Sequence, residues 1–333
     1  MKPETNGSKV EKKPFKLPIK SGAIQQLLAF ASLIVLLIFF SIASPNFFQF
    51  SNIVSILLST SVIGILALGV TFVIITAGID LSVGTAMTLC SVMTAVFVVT
   101  WGLPTPLGVL LGILTGALAG CLSGLAVAKM KIPSFIATLA MMMIAKGLAL
   151  VISGTRPIYF SDTPGFSEIA LGSIIPGLKI PNAVLIFFFM AIFGSIILSK
   201  TVIGRYTFAI GSNEEATRLS GVNVDRWKVI IYTIAGLFTG VAGVLMASRL
   251  NSAQPGLGMG YELEAIAAVV IGGTSLSGGK GTMVGTVIGA LIMSVLTNGL
   301  RILSVPQEWQ TVVVGIVIIF AVYADILRRR QTA

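Results

Sequence analysis

Residues 21–79 contain no Asp, Glu, Lys or Arg and read SGAIQQLLAFASLIVLLIFFSIASPNFFQFSNIVSILLSTSVIGILALGVTFVIITAGI. A helix crosses the roughly 30 Å of bilayer hydrocarbon with about 20 apolar residues, because it rises about 1.5 Å per residue. This stretch is therefore long enough for two membrane spans and the link between them. Because backbone groups in lipid must be paired within the segment, and the alternation of a barrel strand is missing, we predict helices.

The rest of the chain continues this pattern. Of its 333 residues, 55% are hydrophobic and only 10% are charged, and the mean hydropathy is +1.00. Soluble domains carry about 25% charged residues, so we predict an all-α polytopic membrane protein of about ten transmembrane helices. The predicted spans are 24–43, 52–77, 82–101, 106–128, 134–153, 182–199, 229–248, 262–277, 282–302 and 308–326. We expect a basic tail at 1–23, a transmembrane domain at 24–327 and a basic C-terminus at 328–333.

Lysine and arginine predict the orientation. With the N-terminus inside, most of the 22 basic residues fall in inside segments, which matches the positive-inside rule with both termini cytoplasmic. The outside segments hold only Arg156, Lys179, Arg249 and Arg301. This topology gives a cytoplasmic loop at 200–228 and a periplasmic loop at 154–181. The basic tail is then an orientation signal, and we predict no nucleic-acid binding.

The cytoplasmic loop contains Ser212-Asn-Glu-Glu-Ala-Thr-Arg-Leu-Ser-Gly221, which predicts a short helix. Ser212 is the predicted N-cap, and Glu215 completes a capping box three residues later. Glu214 and Glu215 lie in the first turn, where the helix dipole favours anions, and Gly221 suits a left-handed C-terminal residue. A helix of two turns is unstable alone in water. It is therefore either a surface element held by its own loop or a lever that docks on a cytoplasmic partner.

Two glycine-rich segments predict broken helices at 78–84 and 272–281. Gly78-Ile-Asp-Leu-Ser-Val-Gly84 and Gly273-Thr-Ser-Leu-Ser-Gly-Gly279 share the pattern G-x-[DS]-L-S-x-G. Six predicted spans separate them, which places both on the same membrane face and indicates a parallel internal repeat. Asp80 is the only acid between residues 12 and 161. An acid so near the membrane core is a functional candidate, although capping of the next helix would also explain it.

Nucleotide and catalytic motifs are missing from the sequence. The run Gly273 to Lys280 lacks the glycine spacing of a P-loop, and Gly256-Leu-Gly-Met-Gly260 is not a dinucleotide fingerprint. The chain has no histidine and no clear acid pair, which argues against an intramembrane enzyme. If ATP energises transport, another subunit must hydrolyse it.

Four segments together resemble the permease subunit of ribose-type ABC sugar importers. They are GIDLSVG at 78–84, PSFIATL at 133–139, GSNEEATRLSGVNV at 211–224 and SAQPGLGMGYELEAIAAVVIGGTSLSGGKGT at 252–282. The resemblance extends over about residues 24–327. It implies a non-catalytic translocation subunit of the bacterial inner membrane that pairs with a second copy, as a homodimer. Its other implied partners are a periplasmic sugar-binding protein and a cytoplasmic ABC ATPase, which carries the ATP and Mg while this chain binds no cofactor.

The resemblance also implies site residues. The family's coupling helix, which contacts the ATPase, matches Asn213, Glu214, Glu215, Ala216, Arg218, Leu219 and Gly221. Neutral sugar hydroxyls are recognised by a few placed polar groups. On that basis we assign a translocation pathway or gate to Asp80, Ser82, Gly84, Gly273, Thr274, Ser275 and Asn298.

Two alternatives remain open at this point. The related ABC permeases for branched-chain amino acids would share the architecture, but a zwitterionic substrate favours paired charges in the pathway, and few charges lie in these spans. An ion-coupled secondary transporter would use Asp80 and Lys146 as coupling groups. The sequence does not identify the sugar.

Overall fold

A computed structural model describes residues 21–175 and 179–330. Of the two predicted termini, residues 1–20 and 331–333 lie outside this described part. In chain order the helices are α1 (Ser21–Ala43), α2 (Phe50–Ile75), α3 (Val83–Ala95, continued by the π-helical turn Val96–Thr100), α4 (Thr105–Ala128), α5 (Ser134–Ile152), α6 (Glu168–Leu171), α7 (Asn182–Lys200), α8 (Val202–Ser212), α9 (Glu214–Leu219), α10 (Val224–Leu250), α11 (Tyr261–Ile271), α12 (Met283–Ile302) and α13 (Gln307–Arg330). Two short strands, β1 (Ile158–Tyr159) and β2 (Ser252–Ala253), pair antiparallel.

Within the described residues, eight helices are long and apolar enough to cross a membrane, namely α1 to α5, α7, α10 and α12. This confirms the prediction of an all-α polytopic membrane protein. The other two predicted spans meet α11 and α13. With 11 residues, α11 is about 16 Å long, half of a bilayer core. The predicted span 262–277 is therefore a half-length helix.

The two sides of the helix bundle are defined by α10. This helix has 27 residues, which corresponds to about 40 Å, and it joins the region of α9 to β2. We name the end that carries α8 and α9 the α9 side, and the end that carries the two strands the β side. The second half of α2, from Thr60 to Ile75, is buried throughout, so α2 is a central helix of the bundle.

Glycine lets α4 and α10 approach at backbone distance. Glycines recur at every fourth residue of α4. Those that face α10 are Gly116, Gly120 and Gly124, whereas Gly108 and Gly112 face α3 and its π-helical turn. A Cβ on Gly116 would lie 2.7 Å from the amide nitrogen of Gly240 and closer still to the carbonyl oxygen of Gly236. Small residues at a four-residue spacing are a common means of close helix packing in membranes.

Residues 78–82 of the first predicted break and all of the second are non-helical, whereas Val83 and Gly84 already belong to α3. The first separates α2 from α3 at Thr76–Ser82, and the second separates α11 from α12 at Gly272–Thr282. They meet on the α9 side, where the amide of Gly279 donates to the carbonyl of Ile75 at 2.8 Å. Gly211, near the end of α8, packs against these same two backbone groups. The prediction that both breaks lie on one face is thus confirmed.

Candidate functional site

The predicted coupling helix is present as α9, but its cap differs from the prediction. Ser212 is the last residue of α8, so the capping box from Ser212 to Glu215 does not form. Asn213 interrupts the helical run with extended backbone, and its side-chain oxygen accepts a hydrogen bond from the amide of Ala216 at 2.9 Å. Asparagine caps a helix as well as serine does. Gly221 has a φ of +84°, as predicted for the residue that ends this helix.

Four ion pairs surround α9, and two of them join α9 to α10. Glu214 accepts from Arg218 at 3.1 Å and from Lys228 of α10 at 2.7 Å. Asp225 of α10 is paired with Arg218 at 3.3 Å and with Lys131 of the α4–α5 link at 2.7 Å. We call these five side chains the ionic cluster. A network fixes geometry better than an isolated surface pair does. From the sequence alone, the two lysines indicate only the orientation of the chain.

The ionic cluster favours the ionised form of Glu214. Partial burial by itself would raise the pKa of this carboxyl. The hydrogen bonds and positive charges of Lys228 and Arg218 outweigh that effect and hold its pKa below the ordinary value of 4.5. Glu214 is therefore an anion at neutral pH and keeps both ion pairs.

The remaining predicted coupling residues form an exposed face of α9. Glu215, Ala216, Leu219 and Gly221 are exposed, and Leu219 retains 83% of its accessible surface. Glu214 and Arg218 are instead occupied by contacts within the chain. The face available to another protein therefore combines one anionic and one apolar side chain.

The first break is held by α5. The amide of Ile79 donates to the hydroxyl of Ser134 at 3.2 Å. The hydroxyl of Thr138 accepts from the amide of Leu81 and lies 3.1 Å from the carbonyl of Ile79, to which it can donate. A break in a membrane helix frees backbone groups that need such partners. Ser134 and Thr138 belong to the segment PSFIATL, and sequence reasoning had given them no role.

Asp80 and Ser82 are buried in this first break, and Gly84 is buried in the first turn of α3. One carboxylate oxygen of Asp80 accepts from the amide of Ser82 at 2.9 Å and from its hydroxyl at 2.6 Å. Asp80 thus fixes the backbone just before α3, which is the capping role that the sequence left open. Gly84 packs against Gly258 and Glu262 so closely that a Cβ would collide with both.

Gly273, Thr274 and Ser275 lie in the second break, where Gly273 has a φ of +96°. The amide of Thr274 donates to the carbonyl of Val269, and that of Ser275 to the carbonyl of Lys280. Asn298 lies in α12 and is buried. The structure therefore places the predicted pathway residues in three separate places. None of them lines either of the two cavities described next.

One cavity lies on the α9 side and has a volume of about 290 Å³. It is bounded by Gly78 of the first break, by Ser134 and by three members of the ionic cluster, Lys131, Glu214 and Lys228. Helix α9 and the first break therefore face a common space.

A larger cavity of about 470 Å³ lies among α2, α11, α12 and α13. We name it the α11 cavity. Its charged side chains are Arg249, at the β-side end of α10, Glu264 of α11 and Arg301, at the β-side end of α12. Among the residues that the structure describes, no group of three or more His, Cys, Asp or Glu side chains is placed to hold a metal ion.

Comparison with known proteins gives a consistent result. Residues 52–322 match the family model described as "Branched-chain amino acid transport system / permease component". The chain is 47% identical to the ribose import permease protein RbsC of Bacillus subtilis, over 91% of this chain and 94% of that one. It is 43% identical to RbsC of Escherichia coli K12, over 88% and 91% of the two chains. The xylose transport system permease protein XylH of Escherichia coli K12 is 33% identical, over 94% and 95%. No solved structure matches the chain.

Proposed function

Since the chain belongs to the family of branched-chain amino acid transport system / permease components, we propose that it is the membrane-spanning subunit of an ATP-driven importer for a monosaccharide of the ribose type. The observation that carries this proposal is the 47% identity to a ribose import permease over 91% of the chain. Identity falls to 33% for the xylose permease of Escherichia coli. The subunit moves its substrate and does no covalent chemistry on it.

The proposed assembly has four kinds of component. Two copies of this chain lie in a bacterial inner membrane, with both termini in the cytoplasm. A cytoplasmic ATPase binds ATP and Mg on the α9 side, and a periplasmic binding protein delivers the sugar on the β side. The sequence supports this arrangement, because the segments predicted to lie inside hold most of the basic residues.

The coupling step uses α9 as a lever. The ATPase closes when it binds ATP and carries the exposed face with Glu215 and Leu219 along with it. The ionic cluster passes this movement to α10 and, through Lys131, to the link before α5. Because α5 holds the first break through Ser134 and Thr138, the movement reaches this break. The break lies between α2 and α3 and lacks the regular hydrogen bonds of a helix, which would oppose a change of shape. Two discrete arrangements of such a segment give alternating access.

Reconstituted transport tests this function. The complete complex in proteoliposomes, with loaded binding protein outside and ATP inside, is expected to accumulate labelled ribose faster than xylose and not to accumulate leucine. ATP-dependent uptake of leucine but not of ribose would show that the chain is a permease for branched-chain amino acids. Uptake driven by an ion gradient without ATP would make it a secondary transporter.

A second experiment tests the coupling face. Glu215→Lys and Leu219→Ala should each weaken binding of the ATPase to the permease in a detergent pull-down. Asp162→Lys is the matched control, because it makes the same charge change at an exposed position in the predicted periplasmic loop. If ATPase binding is unaffected by both α9 variants, this face is not the docking surface.

A further inference from the structure

The α11 cavity exists because α11 is short. The chain leaves β2 and reaches Gly260 without forming a helix, and Gly258 and Gly260 have φ values of +100° and +97°. The loop is anchored on α3, where the hydroxyl of Thr88 bonds the carbonyl of Leu257. Glu262 accepts the amide of Gly260 at 3.0 Å, which fixes the start of α11. A full-length helix at this position would fill space that remains open beside α2 and α13.

We propose that the α11 cavity is a monosaccharide-binding site on the translocation route, which rests on the proposed import function. Its volume of about 470 Å³ falls in the range of roughly 300–1,000 Å³ that is usual for small-molecule sites. It lies at the β-side ends of α10 and α12, opposite α9. A sugar released by a binding protein on the β side meets this cavity first.

The polar side chains of the cavity match the chemistry of sugar hydroxyls, which both donate and accept hydrogen bonds. Arg249 and Arg301 supply donors, because neither has an ion-pair partner within 4.0 Å in the described part of the chain. Among the described residues, the side chain of Arg249 makes one hydrogen bond, a contact of 3.5 Å with the carbonyl of Leu58. A guanidinium has five N–H groups, so most donors of both arginines remain available.

Acceptors line the same cavity. Glu264 supplies a carboxylate. The hydroxyls of Thr297 and Thr311 donate to carbonyls of their own helices, so their oxygen lone pairs remain free to accept. The amide nitrogen of Gln310 donates to the carbonyl of Val305, which leaves the amide oxygen of Gln310 free. The ring of Tyr261 adds an apolar face against which a sugar ring can pack.

The lining favours a neutral polar ligand over a lipid or a sugar phosphate. Glu264 offsets one of the two arginine charges. Nine of the 17 lining residues have polar side chains. They include the hydroxyls of Ser59, Thr297 and Thr311, which belong to α2, α12 and α13, so polar groups occur along these helices as well as near their ends. An acyl chain would leave the charged groups of Arg249, Arg301 and Glu264 without hydrogen-bond partners, at a cost in free energy for each. Arg249 and Arg301 lie in segments predicted to be outside, against the positive-inside rule, and sugar binding would explain their presence there.

Cysteine protection tests the site directly. The complete complex in nanodiscs carries Cys121→Ser, because Cys121 is partly exposed whereas Cys90 is buried. Thr311→Cys places a thiol in the cavity, and ribose should slow its reaction with a membrane-impermeant maleimide. Trp309→Cys is the matched control, since it lies two residues away on α13, is exposed and does not line the cavity. Its labelling should not change with ribose.

Charge-neutral variants supply a second readout. Glu264→Gln and Arg301→Gln should each raise the ribose concentration needed for half-protection by about 10-fold or more, because each removes a hydrogen bond to a charged group. Glu308→Gln, an exposed acid outside the cavity, should leave that concentration unchanged.

The outcomes separate this site from the proposed function. If wild-type protein imports ribose but ribose gives no protection at Thr311→Cys, or that thiol does not react at all, the site is wrong and the function stands. Protection that depends on phosphatidylglycerol in the nanodisc and not on ribose would make the cavity a lipid site and overturn the proposal. If the wild-type complex imports no monosaccharide, the proposed function itself has failed.

Discussion

Gly116→Ala is expected to destabilise the protein through the contact between α4 and α10, whereas Gly147→Ala is not. Both substitutions add one methyl group to a glycine inside a membrane-spanning helix. The added Cβ at position 116 would lie 2.7 Å from the nitrogen and 2.9 Å from the Cα of Gly240, whereas position 147 has no atom within 4 Å. The intrinsic gain in helix propensity, about 1 kcal/mol or less, is common to both variants.

The expected magnitude follows from the separation that the methyl group forces. Non-bonded carbons pack at about 3.5–4.0 Å, and a gap of about 0.5–1 Å forfeits a quarter to a half of the contact energy. Overpacking of this kind costs about 1–3 kcal/mol. Because the propensity gain cancels in the comparison, Gly116→Ala should be less stable than Gly147→Ala by about 1–3 kcal/mol. Adding Gly236→Ala should cost less than its own single effect, since the two facing methyl groups need the same extra space.

The assay is unfolding of the purified protein in detergent, followed by the loss of monodisperse protein on heating and by titration with sodium dodecyl sulfate. Gly116→Ala should unfold at a lower temperature and a lower detergent fraction than Gly147→Ala. If Gly116→Ala is as stable as Gly147→Ala, the two helices do not approach at backbone distance and the packing argument fails.

Three other predictions concern the α9 side. Glu214→Gln should lower thermal stability at neutral pH more than Glu215→Gln does, because only Glu214 is paired. Since the pKa of Glu214 is held below 4.5, its contribution is present above that pH and is lost on acidification, so the melting curves of Glu214→Gln and wild type should converge at low pH. Asp80→Ala, which loses both hydrogen bonds to Ser82, should be less stable than Asp80→Asn by about 1–3 kcal/mol. If the two variants melt at the same temperature, the side chain of Asp80 has no structural role. Fusion reporters after residues 165 and 215 should be active in the periplasm and in the cytoplasm respectively, and the reverse pattern would overturn the orientation.

Local sequence predicts the long helices well because two independent signals, a helix-breaking residue and the start of an apolar run, agree at their ends. Proline precedes the first residue of α5 and α7, at Pro133 and Pro181, and the apolar runs begin at the same places. Where the signals separate, the prediction fails. The uncharged run 265–279 continues past Ile271, yet α11 stops there. The segment that follows is held by the bond from Gly279 to Ile75, a contact between residues about 200 positions apart that hydropathy does not encode.

The candidate sites show the same limit. The residues of α9 could be found from their caps and charges, although the cap proved to be Asn213. The partners of α9 could not, because Lys131 and Asp225 are 94 positions apart and a single sequence carries no signal for their pairing. The α11 cavity has no signal in the sequence either, because its lining is assembled from α2, α10, α11, α12 and α13. The G-x-x-x-G spacing of α4, in contrast, is a signal that could have located its close contact.

The contacts of the second break connect the α9 side to the α11 cavity. Gly211 of α8 packs on the amide of Gly279, and the chain from there back to the end of α11 contains only the non-helical residues 272–278. Glycines of positive φ lie at both ends of α11, at Gly260 and Gly273, so the backbone can change direction there, while Ala268 of α11 packs closely on Gly289 of α12. The buried part of α2 is packed along its length and does not have this freedom. In the proposed importer, a movement of α8 and α9 would reach α11 through the contact of Gly211 with Gly279. Because α11 carries Glu264 into the cavity, we expect that movement of α11 would change the affinity of the proposed site for sugar, so that the importer could release the sugar it has accepted.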